Sequence, residues 1–334
     1  MHNTHGFLIL AGFLLVILAL IIPLFILNRR HQSPIIREIL DWFLVATPSI
    51  FLVLIDKWVW GPSIGDNPTA DLPYSWFHFM FVVLMILAAY GLYRLSKNMP
   101  KNSLYKRFTS VDITVLKIGF FLLFIELYKQ FSYATLLTSY QWYLFPFQFC
   151  SVPIYVCLIN PWLKEGKLKI AGYNFLAIYG FIAGMSVMAM PVTVFVPSVA
   201  ISIHTMLWHA TMVILGTYLL SKQNIGTSTL QVKSATYILY AFIVIALIID
   251  VTLHYTAPFI GLNAFFLSPW EAAHIPLINI PYHALLPLYG QTIAWFAYLI
   301  SYVILFSVGG WIIFLVRRLY LQIIGRLVKS PLVF

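Results

Sequence analysis

The stretch LFPFQFCSVPIY, residues 144–155, sets Gln148, Cys150 and Ser151 within four positions, between Pro146 and Pro153. A thiol can attack an ester carbonyl, and an amide can donate to the oxyanion that forms. Pro153 has no N–H to offer the Phe149 carbonyl, and Pro146 has none for that of Trp142, so the pattern predicts a locally broken helix around the thiol. Further on, His204 and His209 stand five apart, and Asp250 and His254 stand four apart. At ~100° per residue a spacing of five turns two side chains about 140° away from each other. That does not suit a zinc pair on one helix, which needs i,i+4 spacing. Asp250 and His254 can meet on one helix face, either as a relay or as a simple hydrogen bond. Glu126 and Lys129 are spaced for a local ion pair. Each feature also has a plain structural counterpart. A membrane cysteine packs as a small apolar residue, and Gly180 with Gly184 reads as a helix-packing contact. There is no C-x-x-C and no glycine-rich phosphate loop, so no metal and no cofactor is expected.

The elements that hold these residues must lie in lipid. The chain has 334 residues, 61% of them hydrophobic and 9% charged, with mean hydropathy +0.90. Soluble domains carry about 25% charged residues. Nine apolar stretches of the length a bilayer requires lie near 7–27, 40–56, 75–93, 113–131, 143–160, 170–192, 198–220, 235–256 and 292–316. The fold class is therefore an all-α polytopic membrane bundle of about nine transmembrane helices. The net charge of +10 does not point to nucleic acid, because of where it sits. All of the 20 basic residues but Lys57, Lys117 and Lys129 fall in alternate connections or in the tail. The positive-inside rule then puts the N-terminus outside and the C-terminus in the cytoplasm of a cell-membrane protein. The first span is read as a retained anchor, since its basic residues follow it rather than precede it. Lys117 lies within a span and is expected to snorkel.

In that topology the polar side chains share a depth. His78, Glu126, Gln148, Cys150, Ser151, His204, His209, Asp250 and His254 all fall in the outer half of the bilayer, on five helices. Ionisable groups in the membrane are costly and tend to mark function, so the pattern predicts one polar chamber open to the outer leaflet. Residues 257–291 form a 35-residue outer connection with no Lys or Arg. It reads either as a plain interfacial loop or as a segment folded back over the bundle as a cap. Cys150 and Cys157 are seven apart, about 10.5 Å along a helix, beyond the ~6.8 Å reach of a disulfide.

LFPFQFCSVPIY, together with SIHTMLWHATMVILG (202–216), GLNAFFL (261–267) and WFHFM (76–80), resembles the YwaF-like family of integral membrane proteins. The resemblance covers residues 75–318, a seven-helix core. It leaves residues 1–74 as two added transmembrane helices with an outer loop, and 319–334 as a basic cytoplasmic tail. Animal relatives of that family include an ether-phospholipid acyltransferase proposed to form an acyl-cysteine with a partner histidine. More distantly, the chain is similar to androgen-inducible membrane hydrolases of fatty-acid esters, which use a threonine and a histidine. The resemblance implies Cys150 as nucleophile and His209 as base, with His204 as second choice. Family members carry a histidine two positions before the cysteine, where this chain has Gln148. Gln148 is then the candidate oxyanion donor, and Asp250 or Glu126 the candidate to orient a histidine. The implied activity is lipid acyl transfer or lipid-ester hydrolysis from the outer leaflet. The partners would be a membrane phospholipid or lysolipid and the bilayer itself, with no nucleic acid. The rival class is a non-enzymatic polar cavity that binds or moves a small lipid-like ligand.

Overall fold

The computed structural model describes residues 34–55, 72–97, 108–136, 142–196, 198–257, 262–270, 275 and 277–329. The expected first span and Lys57 lie outside these residues. Among them the chain is helical with no strand. The helices are α1 (Pro34–Leu54), α2 (Trp76–Lys97), α3 (Ser110–Leu136), α4 (Pro153–Ile159), α5 (Lys167–Ala189), α6 (Val199–Lys222), α7 (Thr229–Thr256) and α8 (Asn279–Lys329). Five of them, α2, α5, α6, α7 and α8, are long and apolar enough to cross a membrane. With 61% hydrophobic residues in the chain, this is a helical membrane protein. α1 and α3 are long too, but Glu38 and Asp41, and Asp112, Lys117, Glu126 and Lys129, interrupt their apolar character.

Two expectations change. The stretch 143–160 is not one spanning helix: a 3₁₀ turn at Trp142–Leu144 is followed by turns and then the seven-residue α4. The outer connection is not all loop, because helix resumes at Asn279 and runs 51 residues, kinked at Gly290 (φ 78, ψ 175) just after Pro287. Proline removes an i→i−4 hydrogen bond, and glycine alone takes that φ without strain.

The chain divides into two compact units. The first comprises Met1–Tyr140, Cys157–Trp162 and Gly184–Ile214; the second comprises Gln141–Val156, Leu163–Ala183 and Leu215–Phe334. In the first unit, α1 packs against α3. Trp42 meets Phe120 edge to face, with centroids 5.2 Å apart. Lys117 does not snorkel: its ammonium lies 3.0 Å from Glu38 and 2.7 Å from Asp41. Gly119 lets α3 approach Cys157, where an added Cβ would come within 2.8 Å of the Cys157 Cβ. Gly184 admits the α6 backbone, since its Cβ would lie 2.6 Å from the His209 carbonyl. Thr109 caps α3 reciprocally with Asp112, the Thr109 N–H donating to Oδ2 at 2.8 Å and the Asp112 N–H to Oγ1 at 3.1 Å.

In the second unit, α5 widens into a π-turn at Leu176–Gly180, wholly buried. It is anchored by Tyr179, whose hydroxyl pairs with Thr236 at 2.8 Å. The α6–α7 connection is tied by Gln231, which accepts from the Gly226 and Ser228 N–H groups and donates to the Gln223 and Asn224 carbonyls. Gly226 there takes φ 102, and a Cβ would meet the Arg318 backbone at 2.9 Å.

Candidate functional site

The predicted break around the thiol is present. Residues 145–152 are non-helical. Pro153 opens α4 at its first position, where its missing N–H would have had no helical partner. The Trp142 carbonyl, orphaned by Pro146, accepts from the Phe145 N–H at 3.0 Å. The Gln148 carbonyl accepts from the Ser151 and Val152 N–H groups at 2.8 and 3.1 Å. The Pro146 carbonyl accepts from the Tyr155 hydroxyl at 2.7 Å. Irregular backbone persists at apolar depth only when satisfied in this way. Cys150, half-buried, stands within this stretch, whereas Cys157 on α4 is fully buried.

The same unit explains Gln148 and Asp250. Residues 262–268 turn inward, all buried but Phe266, and side chains meet their backbone groups one by one. Asp250 accepts from the Ala264 N–H at 2.7 Å. The Gln148 amide nitrogen donates to the Asn263 carbonyl at 2.8 Å. The Asn263 side chain accepts from the Ser268 N–H at 2.9 Å. From α8, Tyr298 donates to the Phe266 carbonyl and Trp295 to the Leu267 carbonyl, both at 2.9 Å, and Gln291 donates to the Pro269 carbonyl at 2.7 Å. Phe265 and Phe266 both sit in the left-handed region, φ 56 and 58. That region costs about 1–2 kcal/mol per non-glycine residue. The Phe265 ring packs against Phe147 and Phe149, with centroids 5.9 and 6.0 Å away. His254 stacks flat on Trp270, 3.5 Å between centroids. The α7 residues Asp250 and His254 therefore both hold the inturned segment. Tyr302, packed against Phe306 with ring centroids 4.5 Å apart, lies within electrostatic reach of Cys150.

The first unit holds the histidines. Glu126 and Lys129 form the expected ion pair at 2.8 Å, and Gln130 donates to the same Glu126 oxygen at 2.6 Å. His209 is 6% exposed, and its Nδ1 lies 2.8 Å from the Thr205 carbonyl one turn back on α6. A carbonyl only accepts, so Nδ1 carries the proton and Nε2 of the neutral ring presents a lone pair. His204, 4% exposed, packs against Tyr128 (6.4 Å) and Trp208 (5.7 Å). His78 is anchored elsewhere: its Nε2 donates to the Met188 carbonyl at 2.9 Å, at the C-terminal turn of α5, where carbonyls lack helical partners.

The polar residues thus form two groups, one in each unit: Gln148, Asp250 and Asn263 with Cys150, and Glu126 and Lys129 with His204 and His209. Among the described residues no three His, Cys, Asp or Glu side chains are placed to hold a metal ion. Sequence reasoning missed Gln291, Trp295, Tyr298 and the polar role of Asn263. It also missed the partners of Lys117. The i,i+3 spacing of Glu38 and Asp41 on one face of α1, with Lys117 alone on α3, was the signal available. No family model, curated protein or solved structure matches this chain.

Proposed function

We propose that this chain is a nine-span enzyme of the cell membrane that acts on lipid acyl esters through Cys150. Its core over 75–318 would be of the YwaF-like type, with the N-terminus outside. The observation that carries the reading is the contrast between the two thiols. Cys157 is buried against Gly119 as a packing residue. Cys150 is half-buried on non-helical backbone that the Gln148 amide ties to the Asn263 carbonyl of the inturned segment, which Asp250 of α7 holds in turn through the Ala264 N–H. A nucleophile gains from such preorganisation and a core cysteine does not. In this reading the Cys150 sulfur attacks the ester carbonyl and its proton passes to a base. The C–O bond breaks, the alcohol leaves with that proton, and a thioester remains on Cys150. A lysolipid hydroxyl or water then attacks the thioester, gives its proton to the base, and the sulfur takes it back.

The test uses the purified protein in vesicles with phospholipid carrying a labelled acyl chain. Cys150→Ala lowers transfer or release by about 100-fold or more, as expected for loss of a nucleophile, and Cys157→Ala leaves it near wild type. Full activity in Cys150→Ala overturns the reading. A second reading then takes its place, a ligand-binding membrane protein without chemistry. The observation that favours it is that the Gln148 amide and the Asp250 carboxylate hold backbone groups of residues 263 and 264.

A further inference from the structure

The inturned segment 262–268 gathers unfavourable features in one place. Phe265 and Phe266 hold left-handed φ values of 56 and 58, a region that bulky side chains avoid. The Tyr302 hydroxyl, fully buried on α8, has no hydrogen-bond partner among the described residues. Ring contacts join these features to the thiol. Phe265, wholly buried, packs against Phe147 and Phe149, with centroids 5.9 and 6.0 Å away. Phe149 directly precedes Cys150. Its ring lies 4.5 Å from that of Phe306, which in turn lies 4.5 Å from that of Tyr302. Strained backbone persists only where its surroundings impose it, and it collects at clamps and switches.

What imposes it here is a set of separate bonds, not a long helix or a sheet. The segment makes two turn bonds of its own, from the Phe266 N–H to the Asn263 carbonyl at 3.2 Å and from the Leu267 N–H to the Ala264 carbonyl at 3.1 Å. Beyond these, Asp250 of α7, Gln148 of the broken stretch, and Trp295 and Tyr298 of α8 each hold one of its backbone groups. A segment held by single bonds opens locally at less cost than the helices around it. Withdrawal of Phe265 leaves the space of one ring, bordered by Phe147 and Phe149, beside the thiol. Such an aromatic-lined space suits an apolar chain. We propose that residues 262–268 are a releasable plug, closed in this structure, and that the Phe265 ring must withdraw before an acyl chain reaches Cys150. As regulation of turnover this rests on the reading of Cys150 as the nucleophile, whereas the closure itself is measured without turnover.

The full chain carrying Cys157→Ala, which leaves Cys150 as its one thiol, is placed in phosphatidylcholine nanodiscs and treated with N-dodecylmaleimide. Mass spectrometry follows the rate of Cys150 alkylation. Phe265→Ala raises that rate about tenfold or more. Tyr298→Phe and Trp295→Phe, each deleting one tether, raise it about fivefold, the equivalent of one hydrogen bond. Thr236→Val, which removes the bond to Tyr179 elsewhere in the same unit, leaves it unchanged. Rates in the three plug variants equal to the parent rate overturn the proposal. An equal rise in Thr236→Val shows general loosening and overturns it as well. In the unmodified protein, hydrogen exchange at residues 264–268 outruns that at residues 239–246 of α7; equal protection overturns the plug without any variant. Faster alkylation in the plug variants, with no acyl adduct on Cys150 during turnover, keeps the plug and removes the nucleophile. An adduct with unchanged alkylation rates does the reverse.

Discussion

Asp250 is the residue whose role depends most on its surroundings. A carboxylate near the end of a membrane helix invites a proton relay, and its i,i+4 partner His254 strengthens that impression. Instead one oxygen takes the Ala264 N–H at 2.7 Å, and His254 lies flat on Trp270. Asp250→Ala should therefore lower stability by about 1–3 kcal/mol, the cost of an orphaned buried N–H, while Asp250→Asn, which keeps an acceptor, costs less. Thermal unfolding in detergent measures both. Equal losses in the two would mean that charge, not the hydrogen bond, is what matters. Cys157 has the opposite character, for it is core. Gly119→Ala should destabilise by about 1–3 kcal/mol through overpacking, because the new methyl would lie 2.8 Å from the Cys157 Cβ. A Gly119→Ala protein as stable as wild type would contradict the close approach.

Charge placement decides how α1 joins α3. Lys117 bridges Glu38 and Asp41 with side-chain exposures of 16%, 18% and 40%, so the cluster is only partly shielded and below the strength of a fully buried one. Lys117→Met leaves two carboxylates facing each other and should cost about 1–3 kcal/mol. Adding Glu38→Gln and Asp41→Asn should recover most of it, again by unfolding in detergent. A triple variant no more stable than the single one would show that the bridge contributes through packing alone. The presence of the long apolar helices was readable from the sequence, because a run of uncharged residues has few other solutions, but not their ends: α8 runs Asn279–Lys329 where 292–316 was expected. The break at 145–152 was readable too, because proline lacks an N–H. The inward turn at 262–268 was not. Its satisfaction depends on Trp295 and Tyr298, which lie some thirty residues on in sequence and look like any lipid-facing aromatics until the chain is folded. Lys117 was misread for the same reason: a lone lysine near a span end snorkels unless a neighbouring helix brings it an anion.

At the scale of the whole chain the long apolar helices differ in how much of each is buried. Most of the α5 and α6 spanning windows are buried, 61% and 72%, against 22% for α2 and 17% for α8. α2 and α8 present Val83, Leu87, Ile300 and Ile304 outward. This distribution fits a helical protein whose solvent is lipid, and the proposed orientation rests on the basic connections. In a Cys150→Ala/Cys157→Ala background, Thr227→Cys should resist an impermeant thiol reagent applied from outside, and Asn67→Cys should react. The reverse result would invert the topology and with it the outer-leaflet site. The reading of Cys150 as a nucleophile is tested most directly by the thioester itself. Purified protein in phospholipid vesicles is quenched in acid, digested and analysed by mass spectrometry. The account predicts an acyl chain on the peptide bearing Cys150, released by neutral hydroxylamine, with Cys157 unmodified. No acyl adduct on Cys150 under turnover, or equal acylation of Cys150 and Cys157, would contradict it.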